Sequence, residues 1–202
     1  TPGLEAQHTI IYVWKGSAII NGETVETDNA VYHEDFAAIK AGTEGAVLWR
    51  WELVPDCDPI HLPKGERVNS ILRMSRKVKM YELVPTSKWL FRLDCIMNAE
   101  GSTGLHSHPG SGIRCMLNGS ARVDSLKGES SYSGKAGACW YEEGSYPIVT
   151  TFDPGTKATF LRGMVLTPEY IDYPDTALWI EKVNRQRTSS WKCYVQKVVT
   201  LR

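Results

Sequence analysis

No uninterrupted apolar stretch in this sequence approaches the roughly 18–20 residues that a membrane-spanning helix needs. The first residues also lack the basic, apolar and small-residue zones of a secretion signal, so a cytoplasmic setting is the expectation. An excess of one charge is missing too. The 23 basic and 23 acidic side chains cancel, and no overall field draws the chain to nucleic acid or to an anionic membrane. Cysteine is scarce: Cys57, Cys95, Cys115, Cys139 and Cys193 are five in number, widely spaced and free of any CxxC. That pattern argues against a zinc knuckle or a disulfide framework and reads as buried small apolar residues. There is no GxSxG elbow, P-loop, GxGxxG after a strand, HExxH or EF-hand loop, so hydrolase, nucleotide-binding and zinc-protease readings have no motif to rest on. Small-molecule chemistry or protein contacts remain.

What is present is strand composition. Runs rich in β-branched and aromatic residues cover 10–20, 46–54, 89–97, 113–123, 146–152 and 157–166, with turn signals at Asn21-Gly22, Asn118-Gly119 and Pro154-Gly155 between them. In WRWEL, Trp49, Trp51 and Leu53 fall on one face, with Arg50 and Glu52 on the other. An all-β chain follows. KGSAII around Gly16 resembles NGSARV around Gly119 at an offset of 103 residues, and KAGTEGAVLW matches EEGSYPIVTT at an offset of 102. Two correspondences at nearly one offset point to an internal repeat with the order of an antiparallel barrel or jelly roll. The expected organisation is a first half over 1–57 that lacks its opening strands, a second barrel over 58–166, and an extension over 167–202. Within the extension, 168–184 reads as one or two short helices interrupted by Pro174, and 191–201 as a last strand that completes the sheet or pairs across a homodimer.

The sharpest local feature is GLHSHPGSGIRCMLNG over 104–119. Side chains two apart on a strand share a face, so His106 and His108 both look into the barrel at a separation suited to chelating one ion. Imidazole suits iron, manganese, nickel and zinc alike. The same count places Arg114 and Met116 inside, and Arg114 there suits a substrate carboxylate or phosphate. Trp140 and Tyr141, just before the loop that roofs the pocket, read as core or as a sandwich for a planar substrate.

These residues resemble the cupin superfamily, whose first motif runs approximately G-x5-H-x-H-x3/4-E-x6-G and whose second runs P-G-x5-P-x4-H-x3-N. His106, His108 and Gly119 match the first, with Gly101 and Gly104 near its opening glycine. Glu143-Gly144 in the EEGSYP loop matches the second. The resemblance implies tandem cupin β-barrels of the double-stranded β-helix or jelly-roll type. Gly112 stands where the family has its glutamate ligand and Pro147 where its third histidine would be. Glu142, Glu143, Tyr146, His33 and His61 are candidates to fill the gap. In the first half Glu5, Thr9 and Gly45 hold the corresponding positions, so no metal centre is expected there. His33, His8 and His61 otherwise read as surface or hydrogen-bonded core residues.

The implied function is a metal-dependent cupin enzyme, a dioxygenase-like oxidoreductase, lyase or isomerase, acting on a small organic acid or phenol. His106 and His108 hold a divalent Fe, Mn, Ni or Zn ion, Arg114 orients the anionic group, and Glu143 or Tyr146 serves as ligand or proton carrier. The alternative is a metal-free or non-catalytic bicupin that binds a small molecule.

Overall fold

The computed structural model describes residues 3–55, 58, 60, 62–63, 65, 67–78, 88–180 and 190–201. Cys57 and His61 lie outside them. The chain divides into two compact units, one reaching Leu72 and taking in Leu201, the other running from Arg73 to Thr200.

The first unit is a sheet of β1 (Gly3–Ile20), β2 (Glu23–Glu26) and β3 (Asn29–Leu53) in the order β2-β1-β3. β3 is long enough to line β1 twice: Ile10 sits beside Tyr32 and Trp51, and Tyr12 beside Ala30 and Trp49. Ile11, Val13, Ala18, Ile20, Val25 and Ala37 form its core. The alternation in WRWEL holds, with Trp51 buried and Arg50 paired to Glu52 at 2.7 Å.

The second unit holds two five-stranded sheets. One orders β13 (Ser190–Thr200), β4 (Lys88–Ala99), β11 (Ala158–Leu166), β6 (Ser111–Asn118) and β9 (Cys139–Glu142). The other orders β12 (Leu178–Trp179), β5 (His106–Ser107), β10 (Ile148–Phe152), β7 (Ala121–Ser125) and β8 (Ser130–Ser133). Their pairings are antiparallel, as in a jelly roll. Met116, Val123, Trp140, Ile148, Phe152 and Phe160 fill the space between, with the Trp140 and Phe160 rings 5.3 Å apart. Trp140 is thus core. Leu90, Met164 and Leu166 form a second cluster, covered by Tyr170 and Ile171 of a 3₁₀ turn over Pro168–Asp172.

Two expectations change. Over 168–180 the structure has the 3₁₀ turn and then an extended strap ending in β12, not a pair of helices, because Pro174 denies the donor that a continuing helix would use. The last strand completes the sheet, with β13 pairing along β4. The cysteines are not all inert thiols, since Cys115 and Cys139 face each other across β6 and β9 and form a disulfide. They are 24 residues apart in the chain, and only the strand pairing reveals them as neighbours. No helix among the described residues is long and apolar enough to cross a membrane.

Candidate functional site

His106 in the two-residue β5 pairs with Ile148 of β10 on one side and Trp179 of β12 on the other. The chain then turns so that the His108 amide donates to the Gly144 carbonyl at 2.9 Å. Gly144 has a φ of +93°, and a Cβ there would collide with the Gly110 carbonyl. Only glycine allows this crossing. The His106 and His108 rings end 5.1 Å apart at 88°, each 6% exposed.

Their ring nitrogens are committed differently. His106 Nδ1 lies 2.9 Å from the Gly104 carbonyl and His108 Nδ1 lies 3.0 Å from the Thr176 carbonyl. A carbonyl only accepts, so both Nδ1 atoms carry hydrogen and His106 Nε2 presents a lone pair while the ring is neutral. Burial, reinforced by His108, lowers the His106 pKa to about 4. The ring is neutral at physiological pH.

His108 Nε2 faces Glu142 Oε2 at 3.2 Å, and the same oxygen lies 2.8 Å from Arg114 Nη2. Trp140 Nε1 donates to Glu142 Oε1 at 2.8 Å, and Arg114 Nη1 donates to the Gly112 carbonyl at 2.7 Å. Burial alone would raise the Glu142 pKa. Arg114, with His108 and Trp140, holds it instead well below the usual carboxylate range. The geometry is close but not aligned: Arg114 Nε and Nη2 and Glu142 Oε2 are buried without a hydrogen bond of good angle.

A second set of charges occupies the same inner face. Asp94 takes two bonds from Arg162, at 2.7 and 2.9 Å, and one from Arg92 Nε at 3.1 Å. Arg92 passes its other nitrogens to the strap, donating to the Tyr173 carbonyl at 2.7 Å and to the Pro174 carbonyl at 3.3 Å. The strap, in turn, supplies the Thr176 carbonyl to His108. Trp179 lies over His106 with ring centroids 4.9 Å apart and also lines an outer cleft of about 700 Å³ with Ser107, Tyr170, Tyr173 and Asp175. It therefore stands between the cleft and the histidine pair.

Of the residues singled out in sequence, His106, His108 and Arg114 come together, and Glu142 joins them. Glu143 and Tyr146 do not. Glu143 pairs with Lys127 at 3.1 Å on the surface, and Lys127 also sits 4.9 Å above the ring of Tyr146, which is 43% exposed. The reason is strand parity: with Trp140 inside, Glu142 must also face in and Glu143 out. His33 belongs to the first unit, on β3 beside Thr9. Arg92, Asp94, Arg162 and Thr176 were not anticipated. The signal for the first three was charge within otherwise apolar runs, Arg92 and Asp94 two apart in one and Arg162 alone in the other, which places it on a buried face.

The donor set answers whether a transition metal fits. Among the described residues no group of three or more His, Cys, Asp and Glu side chains is placed to hold a metal ion. The one carboxylate near the histidines is already neutralised by a guanidinium at 2.8 Å. Two imidazoles with so occupied a carboxylate do not fit a resident metal centre.

No protein-family model and no curated protein matches this chain. Among solved structures, one of oxalate decarboxylase, described as containing a structural element that modulates proton-coupled electron transfer, aligns with a TM-score of 0.50. Its identity is 12%, over 82% of this chain and 64% of that one. A salicylate 1,2-dioxygenase variant from Pseudoaminobacter salicylatoxidans in complex with gentisate aligns with a TM-score of 0.47 and 12% identity, over 81% of this chain and 65% of that one. The chain thus spans just under two thirds of the length of either protein. The first likeness shows the fold alone, an all-β jelly roll.

Proposed function

We propose that the second unit is a cupin-type pocket that binds a small organic acid or phenol and acts on it by proton transfer, in an isomerase or lyase type of reaction, without a resident metal. The observation that supports this is the set formed by Arg114, Glu142 and His108, in which the carboxylate is met by a guanidinium and a ring nitrogen at 2.8 and 3.2 Å. Arg114 gives the pocket the positive charge that suits an organic anion. His106 Nε2, neutral at physiological pH, accepts the ligand's proton. Trp179 supplies a flat cover and the strap governs entry. The likeness of KGSAII to NGSARV and of KAGTEGAVLW to EEGSYPIVTT supports reading the first unit as a degenerate cupin half. The test is a titration of benzoates, hydroxybenzoates and short dicarboxylates against the whole protein. The double change His106→Ala and His108→Ala is expected to weaken the best ligand by more than about tenfold, or 1.4 kcal/mol. Unchanged affinity in the double variant would remove the histidine pair from the site.

A second reading, dioxygenase-like chemistry on a divalent Fe, Mn, Ni or Zn ion at His106 and His108, draws on one observation. Both Nδ1 atoms are tied to backbone carbonyls, as in metal-ligating histidines. Elemental analysis of protein purified without chelators separates the two. Close to one equivalent of metal favours the second reading, and less than about 0.1 equivalent favours the first.

A further inference from the structure

The Cys115–Cys139 disulfide joins two strands that build the site, but from the opposite face of their sheet. Gly112, Ile113, Arg114 and Cys115 of β6 face Glu142, Tyr141, Trp140 and Cys139 of β9 in turn, so the bond stands on the rung farthest from Glu142. Side chains alternate along a strand, and with Arg114, Trp140 and Glu142 inside, both cysteines point out. Cys115 is 8% exposed and Cys139 is half-buried. The bond is therefore approached from outside, without passage through the pocket.

β9 is a four-residue strand at the edge of its sheet, with β6 as its neighbour in the strand order. Trp140 anchors its middle in the core. Its two ends are held by different means, one by the disulfide and the other by the charge on Glu142, 2.8 Å from Arg114 and 3.2 Å from His108. Glu142 Oε2, like Arg114 Nε and Nη2, has no aligned hydrogen bond, so charge and not directed bonding secures the second end. A short edge strand is the kind of segment that opens locally, and a buried carboxylate regains its hydration when it does.

We propose that the Cys115–Cys139 bond is a redox clamp on the pocket, closed in the oxidised protein and released by a dithiol. One thiolate of the reductant attacks the half-exposed Cys139 sulfur and Cys115 leaves as a thiolate. The reductant's second thiol then closes on its own partner sulfur and frees Cys139. Two electrons and two protons pass to the protein, and the reductant ends as a disulfide. Without the cross-link the open forms of β9 are no longer restricted, and Glu142 and Trp140 leave the pocket more often. The effect on ligand binding rests on the function proposed above, whereas the effect on β9 does not.

The experiment measures native-state hydrogen exchange of the full chain before and after dithiothreitol, counts thiols by alkylation and mass spectrometry, and titrates the same benzoates and short dicarboxylates into both forms. Opening the bond is expected to speed exchange at the β9 amides by more than about tenfold, at rates that low urea leaves unchanged, the mark of local opening. The best acid is expected to bind more than about threefold more weakly. The double change Cys115→Ala and Cys139→Ala is expected to show the fast exchange without reductant and no response to it. Should that variant not fold, Cys95→Ala with Cys193→Ala, which keeps the bond and removes the other two cysteines of the second unit, is expected to respond to dithiothreitol as wild type does. Unchanged exchange at β9, or exchange that rises with urea in step with β4 and β11, would overturn the inference by making the bond a staple of the whole unit. A bond that dithiothreitol cannot open in the folded protein, or an opened form with undiminished affinity, would overturn it as well. Fast exchange at β9 in a protein that binds none of these acids in either form would leave the clamp on β9 standing and overturn the proposed function.

Discussion

Replacing Asp94 with asparagine is expected to destabilise the second unit by about 3–5 kcal/mol, a large share of the 5–15 kcal/mol that holds a typical domain together. Asp94 is fully buried, as is Arg92, and Arg162 is 7% exposed. The carboxylate accepts from both guanidinium groups. Asparagine keeps the shape and one acceptor but leaves two cations in a closed interior. The consequence extends beyond stability, because Arg92 also holds the Tyr173 and Pro174 carbonyls of the strap, and the strap carries Thr176 to His108. Urea unfolding of the variant measures the cost. Replacing the whole set by apolar residues, with Arg92→Met, Asp94→Leu and Arg162→Met together, is expected to cost far less than Asp94→Asn alone, since no uncompensated charge remains. A loss below about 1 kcal/mol for Asp94→Asn would mean that water reaches the cluster.

Acid is expected to unfold this protein largely through His106. Folded His106 takes up its proton only near pH 4, whereas an unfolded histidine does so near 6.5. Between those values the unfolded chain binds more protons, so stability falls as pH drops from about 6.5 to about 4 and is flat above. The loss from this one ring is about 3 kcal/mol by pH 4. Glu142 adds to it only at the acid end of that window: its folded pKa is depressed, so its contribution is in place above the ordinary value of 4.5 and begins to be lost as pH falls below that. Urea unfolding at pH 7 and at pH 4 checks this: the drop in wild type should largely vanish in His106→Gln. An equal drop in the variant would assign the acid sensitivity elsewhere.

The strand runs and the inward pair at Arg114 and Met116 were legible from composition and period alone, because an antiparallel barrel buries one face of each strand. The carboxylate partner was legible but misread. Counting from Trp140 gives Glu142, whereas aligning the glycine loop drew attention to Glu143, which lies on the surface with Lys127. Arg92 and Asp94 sit two apart in WLFRLDCIM and Arg162 is the lone charge within the buried part of KATFLRGMVL, a pattern that marks a buried ion cluster once both runs are seen to be mostly buried. The Cys115–Cys139 bond was beyond reach, since sequence does not tell which strands pair. So was the strap, whose part in the site is played by backbone carbonyls that any residue supplies.

The central claim is that Glu142 is held by Arg114 and His108 in place of an ion. A crystal structure of the whole protein grown with millimolar Mn²⁺ or Zn²⁺, with anomalous data at the metal edge, tests it most directly. The expected result is no anomalous peak between His106 and His108, with the Glu142 carboxylate against Arg114. A peak bonded to both histidines, with Glu142 turned away from Arg114, would contradict it.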